Sequence, residues 1–169
     1  MSSVLIGFLI LISPVLGGLI YGVERVVKAR MQNRIGPPLL QPFYDFYKLM
    51  DKRAMFIHSY HAALGVMHFL AAWLALGVLL EAGDLILVIF LHLMASALLI
   101  MGGYSVRSVY SNLGSNRELI AMLTHEPIYL IAAVGFFLLY GSFEVANYVS
   151  SDIIPLLYMP LIFVAIIFA

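Results

Sequence analysis

The sequence contains no cysteine, so disulfides, Cys-ligated zinc and Cys-bound iron–sulfur clusters are excluded on this chain. Any redox centre it serves must sit on a partner. Charge is almost as scarce: Asp, Glu, Lys and Arg make up 11% of the 169 residues, where a soluble domain has about a quarter. The polar surface of a soluble domain cannot be assembled from so few, and disorder and nucleic-acid binding are excluded with it. What is present is apolar: 63% of the residues are hydrophobic and the mean hydropathy is +1.03.

The formal net charge of zero conceals a segregation, because all nine basic residues fall in two stretches, Arg25 to Arg53 and Arg107 to Arg117. Val4 to Val23 carries no charge, Ala62 to Leu80 none beyond His68, and Leu85 to Tyr104 none beyond His92. Each approaches the roughly 20 residues that a transmembrane helix needs. A fourth apolar run, Leu119 to Phe143, holds His125, Glu126 and Pro127, and a fifth begins at Ile153 and is still apolar at Ala169. Basic loops alternate with acidic ones, since Glu81 and Asp84 lie between the second and third runs and Glu144 and Asp152 follow the fourth. By the positive-inside rule the basic loops are cytoplasmic and the N-terminus is outside. The expected fold is all-α: one multi-pass domain of the cell membrane with about five transmembrane helices. The first run has no basic residue before it and no small-residue cleavage site after it, so it reads as an anchor.

In the first basic loop Leu39, Phe43, Phe46, Tyr47 and Met50 recur at helical spacing, with Asp45, Lys48 and Lys52 on the other side. This predicts an amphipathic helix over 39–50, too short to span and suited to the interface or a cytoplasmic partner. Arg25, Lys28, Arg30 and Arg34 read either as a patch on lipid phosphates or as a docking site, and Glu24 can pair with Lys28 across one helical turn. In the second basic loop, Ser105, Ser108, Ser111, Asn112, Gly114, Ser115 and Asn116 read as a loop. Ser115-x-x-Glu118 reads as a capping box opening the next helix.

Glu126 has no such structural explanation, and an intramembrane carboxylate is a functional candidate by default. Pro127 disfavours helical geometry at Glu126 and deprives the Leu123 carbonyl of its donor, which favours a hydrated pocket where the carboxylate exchanges protons. His125, seven residues from Glu118, shares its helical face. His92 fits either a proton path or a hydrogen bond to a neighbouring helix, and Glu144 reads as interfacial or functional. His58, His61 and His68 have no carboxylate beside them and read as interfacial histidines rather than a metal site.

Two long blocks resemble a known family. The run Glu24-Arg25-Val26-Val27-Lys28-Ala29-Arg30-Met31-Gln32-Asn33-Arg34-Ile35-Gly36-Pro37-Pro38-Leu39-Leu40-Gln41-Pro42, continuing to Asp45 and Lys48, and the run Tyr104 to Ser111 through Arg117 to Pro127, resemble the H subunit (subunit 1) of respiratory complex I and its relatives in membrane-bound [NiFe] hydrogenases and formate hydrogenlyases. Gly36-Pro37-Pro38 passes directly to Leu39-Leu40-Gln41-Pro42, without the longer insertion of the quinone-reducing branch, and so looks like the hydrogenase branch. Val106 and Val109 stand where the family often has proline. Family members have about eight spans, so the chain covers the N-terminal half to two-thirds of a typical one.

The resemblance implies a non-catalytic coupling subunit of a ferredoxin-linked hydrogenase or sulfur-reducing complex, anchoring the redox arm and conducting protons. It implies iron–sulfur clusters and a [NiFe] centre on partner subunits, and antiporter-like membrane subunits beside the chain. Glu118, Glu126 and Glu144, with His125 and His92, fall on its carboxylate-lined proton path; Glu24, Arg25, Arg30, Arg34, Asp45 and Lys48 fall in the loop facing the redox arm. Competing readings are a subunit of NADH:quinone oxidoreductase and, from other classes, a passive membrane anchor or a secondary transporter.

Overall fold

A computed structural model of the chain describes residues 3–52, 59–151 and 154–168, and the described residues form helices and no β-strand. They fall into two compact units, Met1–Met55 and Phe56–Ala169.

The first unit holds α1 (Ser3–Met31) and α2 (Gln41–Met50). Helix α1 continues past the expected span of 4–23, so Glu24, Arg25, Lys28 and Arg30 are helical and the expected Glu24–Lys28 ion pair forms. Pro14 lies inside α1 and cannot donate to the Ile10 carbonyl. The Ser13 hydroxyl donates to that carbonyl instead, at 2.7 Å, which lets the helix run on through the proline. Asn33 ends α1 in the left-handed region, φ 53°, with Arg34 N–H bonded to Ala29 O and Asn33 N–H to Arg30 O, the paired bonds of a Schellman cap. The chain then turns back. Gly22 is buried, and a Cβ there would overlap the Leu39 carbonyl; a Cβ at Gly18 would stand 2.8 Å from the Phe43 ring. These two glycines allow α2 to close onto α1. Helix α2 begins at Gln41, inside the expected 39–50, with Phe43 half-buried on α1 and Phe46 and Tyr47 exposed.

The second unit contains α3 (Ser59–Leu80), α4 (Leu85–Tyr104), α5 (Val109–Tyr140), α6 (Val145–Val149), α7 (Pro155–Tyr158) and α8 (Pro160–Phe168). Helix α4 packs on both α3 and α5, and α8 packs on α5. The buried seam is made mostly of small residues, Ala71, Ala75, Ala95, Ala132, Ala133 and Gly102 among them, with Ile89 and Ile100. In lipid, helices associate by close backbone approach, and small side chains permit it. Larger apolar residues such as Phe90, Leu138 and Ile131 point outward and require an apolar surrounding. Asp84 caps α4, accepting from Ile86 N–H at 2.8 Å. Asp84 and Glu144 oppose each other in an isolated antiparallel bridge, with Leu85 N–H on Phe143 O and Val145 N–H on Gly83 O, so the α3–α4 and α5–α6 turns are joined. Beside them Tyr148 donates to the Ser142 carbonyl at 2.9 Å and stacks on Phe136.

Helices α1, α3, α4 and α5 are long and apolar enough to cross a membrane. The last apolar run, expected to form a fifth span, is divided into α7 and α8 at Met159-Pro160. Three expectations about α5 are overturned. The helix starts at Val109, with Ser108 as its cap residue, so the predicted loop shrinks to a short connection. Ser115 is buried within the helix and no capping box forms with Glu118. The reason is across the interface: the Ser111 hydroxyl donates to Gly103 O at 2.6 Å, and Ser115 packs so closely on Gly103 that no side chain fits there. The Ser- and Gly-rich run is a small-residue contact between helices rather than a turn. Finally, α5 is continuous through Glu126 and Pro127.

Candidate functional site

Glu126 is the charged side chain that α5 buries, with 8% of its surface exposed. Its Oε2 is enclosed and has no hydrogen-bond partner among the described residues. His125 directly precedes Glu126 on α5, and His92 on α4 meets the same helix at Tyr129. Tyr129, one turn on from His125, faces both: its ring meets His92 edge-on at 5.9 Å and His125 at 6.4 Å. His92 is exposed and His125 half-buried. Pro127 adds a second polar feature, since the Leu123 carbonyl loses its intrahelical donor, while the Thr124 hydroxyl is committed to Ile120 and Ala121 carbonyls one turn earlier. A carboxylate held without a partner in an apolar helix interface is costly whenever it is charged. Such a group is suited to taking up and releasing a proton.

Glu118 is exposed and two turns before Glu126, about 12 Å along the helix. It lines an open cavity of about 540 Å³ with His61, Gly65, Gly103, Ser111 and Ser115, where α3, α4 and the start of α5 meet. Glu144 is exposed and sits in the joined turns opposite Asp84, apart from both. The structure thus groups Glu126 with His92 and His125, and groups Glu118 with His61. His61 gave no sign in the sequence of more than an interfacial role, because its partners Gly102 and Ser105 are 41 and 44 residues away. His68 is bound to Ala95 O at 2.8 Å. His58 lies outside the described residues.

In the first unit Arg25 reaches the Asp45 carboxylate at 3.2 Å and lies over the Tyr21 ring. Gln41 donates to the other Asp45 oxygen at 2.9 Å. Together, the Gln41 hydrogen bond first and then Arg25 hold the Asp45 carboxyl below the usual carboxylate range. Arg30 and Lys48 are exposed, Glu24 is paired with Lys28, and Arg34 is exposed with a hydrogen bond to Gln32. A polar surface at the end of α1 and an amphipathic helix docked beside it suit contact with a polar partner.

Residues 3–169 match the sequence pattern described as NADH dehydrogenase. The chain belongs to that family. It is 32% identical over 165 residues to the NADH-ubiquinone oxidoreductase chain 1 of Mycosarcoma maydis, covering 86% of this chain and 50% of that protein. To the H subunit of the NADH-quinone oxidoreductase of Thermomicrobium roseum it is 30% identical over 175 residues, covering 86% and 51%. Formate hydrogenlyase subunit 4 of Escherichia coli is 29% identical over 125 residues, covering 67% and 41%. The chain spans about half the length of the curated relatives it matches. With four helices of spanning length and this family membership, it is a membrane protein related to complex I, as the two sequence blocks led us to expect.

Proposed function

We propose that this chain is a membrane subunit of a multisubunit respiratory-type oxidoreductase, seating a redox arm on its α1–α2 unit and passing protons through Glu126 as electrons move in partner subunits. The observation that carries this reading is the buried Glu126, with its Oε2 unpartnered among the described residues. A passive anchor has no need for a carboxylate there. The partners are iron–sulfur and [NiFe]-type subunits and antiporter-like membrane subunits, since the chain itself has no cysteine to ligate a cluster. The hydrogenase-type branch, ferredoxin-linked or sulfur-reducing, is supported by the short passage from Gly36 to Leu39, which folds directly back against Gly22. A second reading, a subunit of NADH:quinone oxidoreductase, is favoured by the 32% identity to an NADH-ubiquinone oxidoreductase chain 1.

Glu126→Gln tests the proton role, because it keeps the size of the side chain and removes its charge cycle. In proteoliposomes of the whole complex, proton uptake and electron transfer are followed together. The rate of proton uptake is expected to fall by roughly a hundredfold, the scale on which a positioned proton-transfer group acts, and uptake per electron to fall with it wherever electron transfer continues. An assembled Glu126→Gln complex that pumps at the wild-type rate would sink the reading in favour of the anchor. Electron acceptors offered to the same complex, protons or a quinone, separate the two branches.

A further inference from the structure

The cavity between α3, α4 and the start of α5 is some distance from the Glu126 site and is lined by two residues that ionise, His61 and Glu118. His61 is half-buried, and its Nδ1 lies 3.1 Å from Gly102 O and 2.7 Å from Ser105 Oγ. The Ser105 hydroxyl gives its single proton to Gly102 O at 2.6 Å, so both atoms facing Nδ1 present lone pairs. Nδ1 must therefore carry a proton, which leaves Nε2 as the nitrogen that gains and loses one. The same two oxygens can stabilise the ring when Nε2 is also protonated, since an imidazolium strengthens both bonds. The α4 C-terminus thereby holds an imidazole in one tautomer on the wall of an open space large enough for several waters. Gly103 lets α5 approach α4 closely beside that space, because a Cβ there would collide with Ser115.

We infer that His61 is a proton-relay residue at the mouth of the route to Glu126, accepting a proton on Nε2 in this cavity and passing it to the Glu118 carboxylate. The inference rests on the proton-conducting reading above. The step is balanced: an excess proton carried by cavity water as hydronium passes to Nε2, giving imidazolium and neutral water, the Glu118 carboxylate takes that proton to give the neutral acid, and His61 returns to its starting tautomer. Glu118 then stands two helical turns from Glu126 on the same helix.

The test uses the whole complex in proteoliposomes, with proton uptake measured per electron transferred. His61→Asn keeps an amide donor toward Gly102 O and Ser105 but removes the exchanging nitrogen. Uptake per electron is expected to drop roughly tenfold or more, and in His61→Ala, added imidazole is expected to restore it. A loss that imidazole does not restore assigns His61 a structural role and overturns the inference. So does wild-type uptake in His61→Asn when Glu126→Gln is inactive, an outcome that leaves the parent reading standing. Wild-type uptake in Glu126→Gln removes both. Should His61→Asn fail to assemble, the same ratio measured on His61→Gln decides in the same way.

Discussion

Arg25, on the last turns of α1, and Asp45, in the middle of α2, are joined by a hydrogen-bonded ion pair at 3.2 Å. Gln41, one turn before Asp45 on its own helix, holds the second carboxylate oxygen. The amphipathic helix is thus pinned to α1 by a polar clamp at one place and by Phe43 on Gly18 at another.

The clamp should respond to pH. Because the folded-state pKa of Asp45 is depressed, its contribution is present above the unfolded carboxylate pKa of about 4 and is lost as pH falls through the lower folded value. Both partners are partly exposed, so the effect should be modest and weaken with salt. The opening of α2, read as hydrogen exchange corrected for the intrinsic amide rate at each pH, should rise on acidification in the wild type. In Asp45→Asn it should already be raised at neutral pH and change little with acid. Equal exchange in both proteins at neutral pH would show that apolar contact alone seats α2.

Gly22→Ala should be more damaging than its size suggests. The added Cβ would overlap the Leu39 carbonyl, a backbone atom with no side chain to swing away, and such overpacking costs about 1–3 kcal/mol. Loss of protection over residues 39–50 is the expected result. A Gly7→Ala control, with nothing near its Cβ, should behave as wild type.

Two helix ends predict opposite signs for exchanges between the same two residue types. Ala82 stands at φ 57°, after α3, with Gly83 N–H on Val78 O and Ala82 N–H on Leu79 O; a non-glycine residue in that region is strained by about 1 kcal/mol. Gly141 occupies φ 73° at the end of α5. Ala82→Gly should therefore raise the Tm of the complex, and Gly141→Ala should lower it through a cost of about 1 kcal/mol. Shifts of the same sign in the two variants would show that backbone strain does not govern these helix ends.

What was legible beforehand depended on neighbours three or four residues apart, or on averages over a span. The apolar runs of α3 and α4, the amphipathic α2, and the Glu24–Lys28 pair are of this kind, because helix geometry alone brings such residues together. Glu126 stood out for a similar reason: a carboxylate inside an apolar run needs no partner to be noticed. The start of α5 was not legible, since Ser111, Gly114 and Ser115 suit either a loop or a close helix contact. Only Gly103 lying opposite Ser115 decides between them.

Hydropathy and charge, read along the chain, were enough to establish a polytopic helical membrane protein with two basic loops and one intramembrane carboxylate, because both act on the solvent whatever the packing. Packing between helices was needed to settle that Pro127 leaves α5 unbroken, that Glu126 Oε2 is enclosed, and that His61 is bound to Gly102 and Ser105. These depend on which surfaces of distant helices meet. That is set by the fit of small residues across an interface, and no local periodicity encodes it.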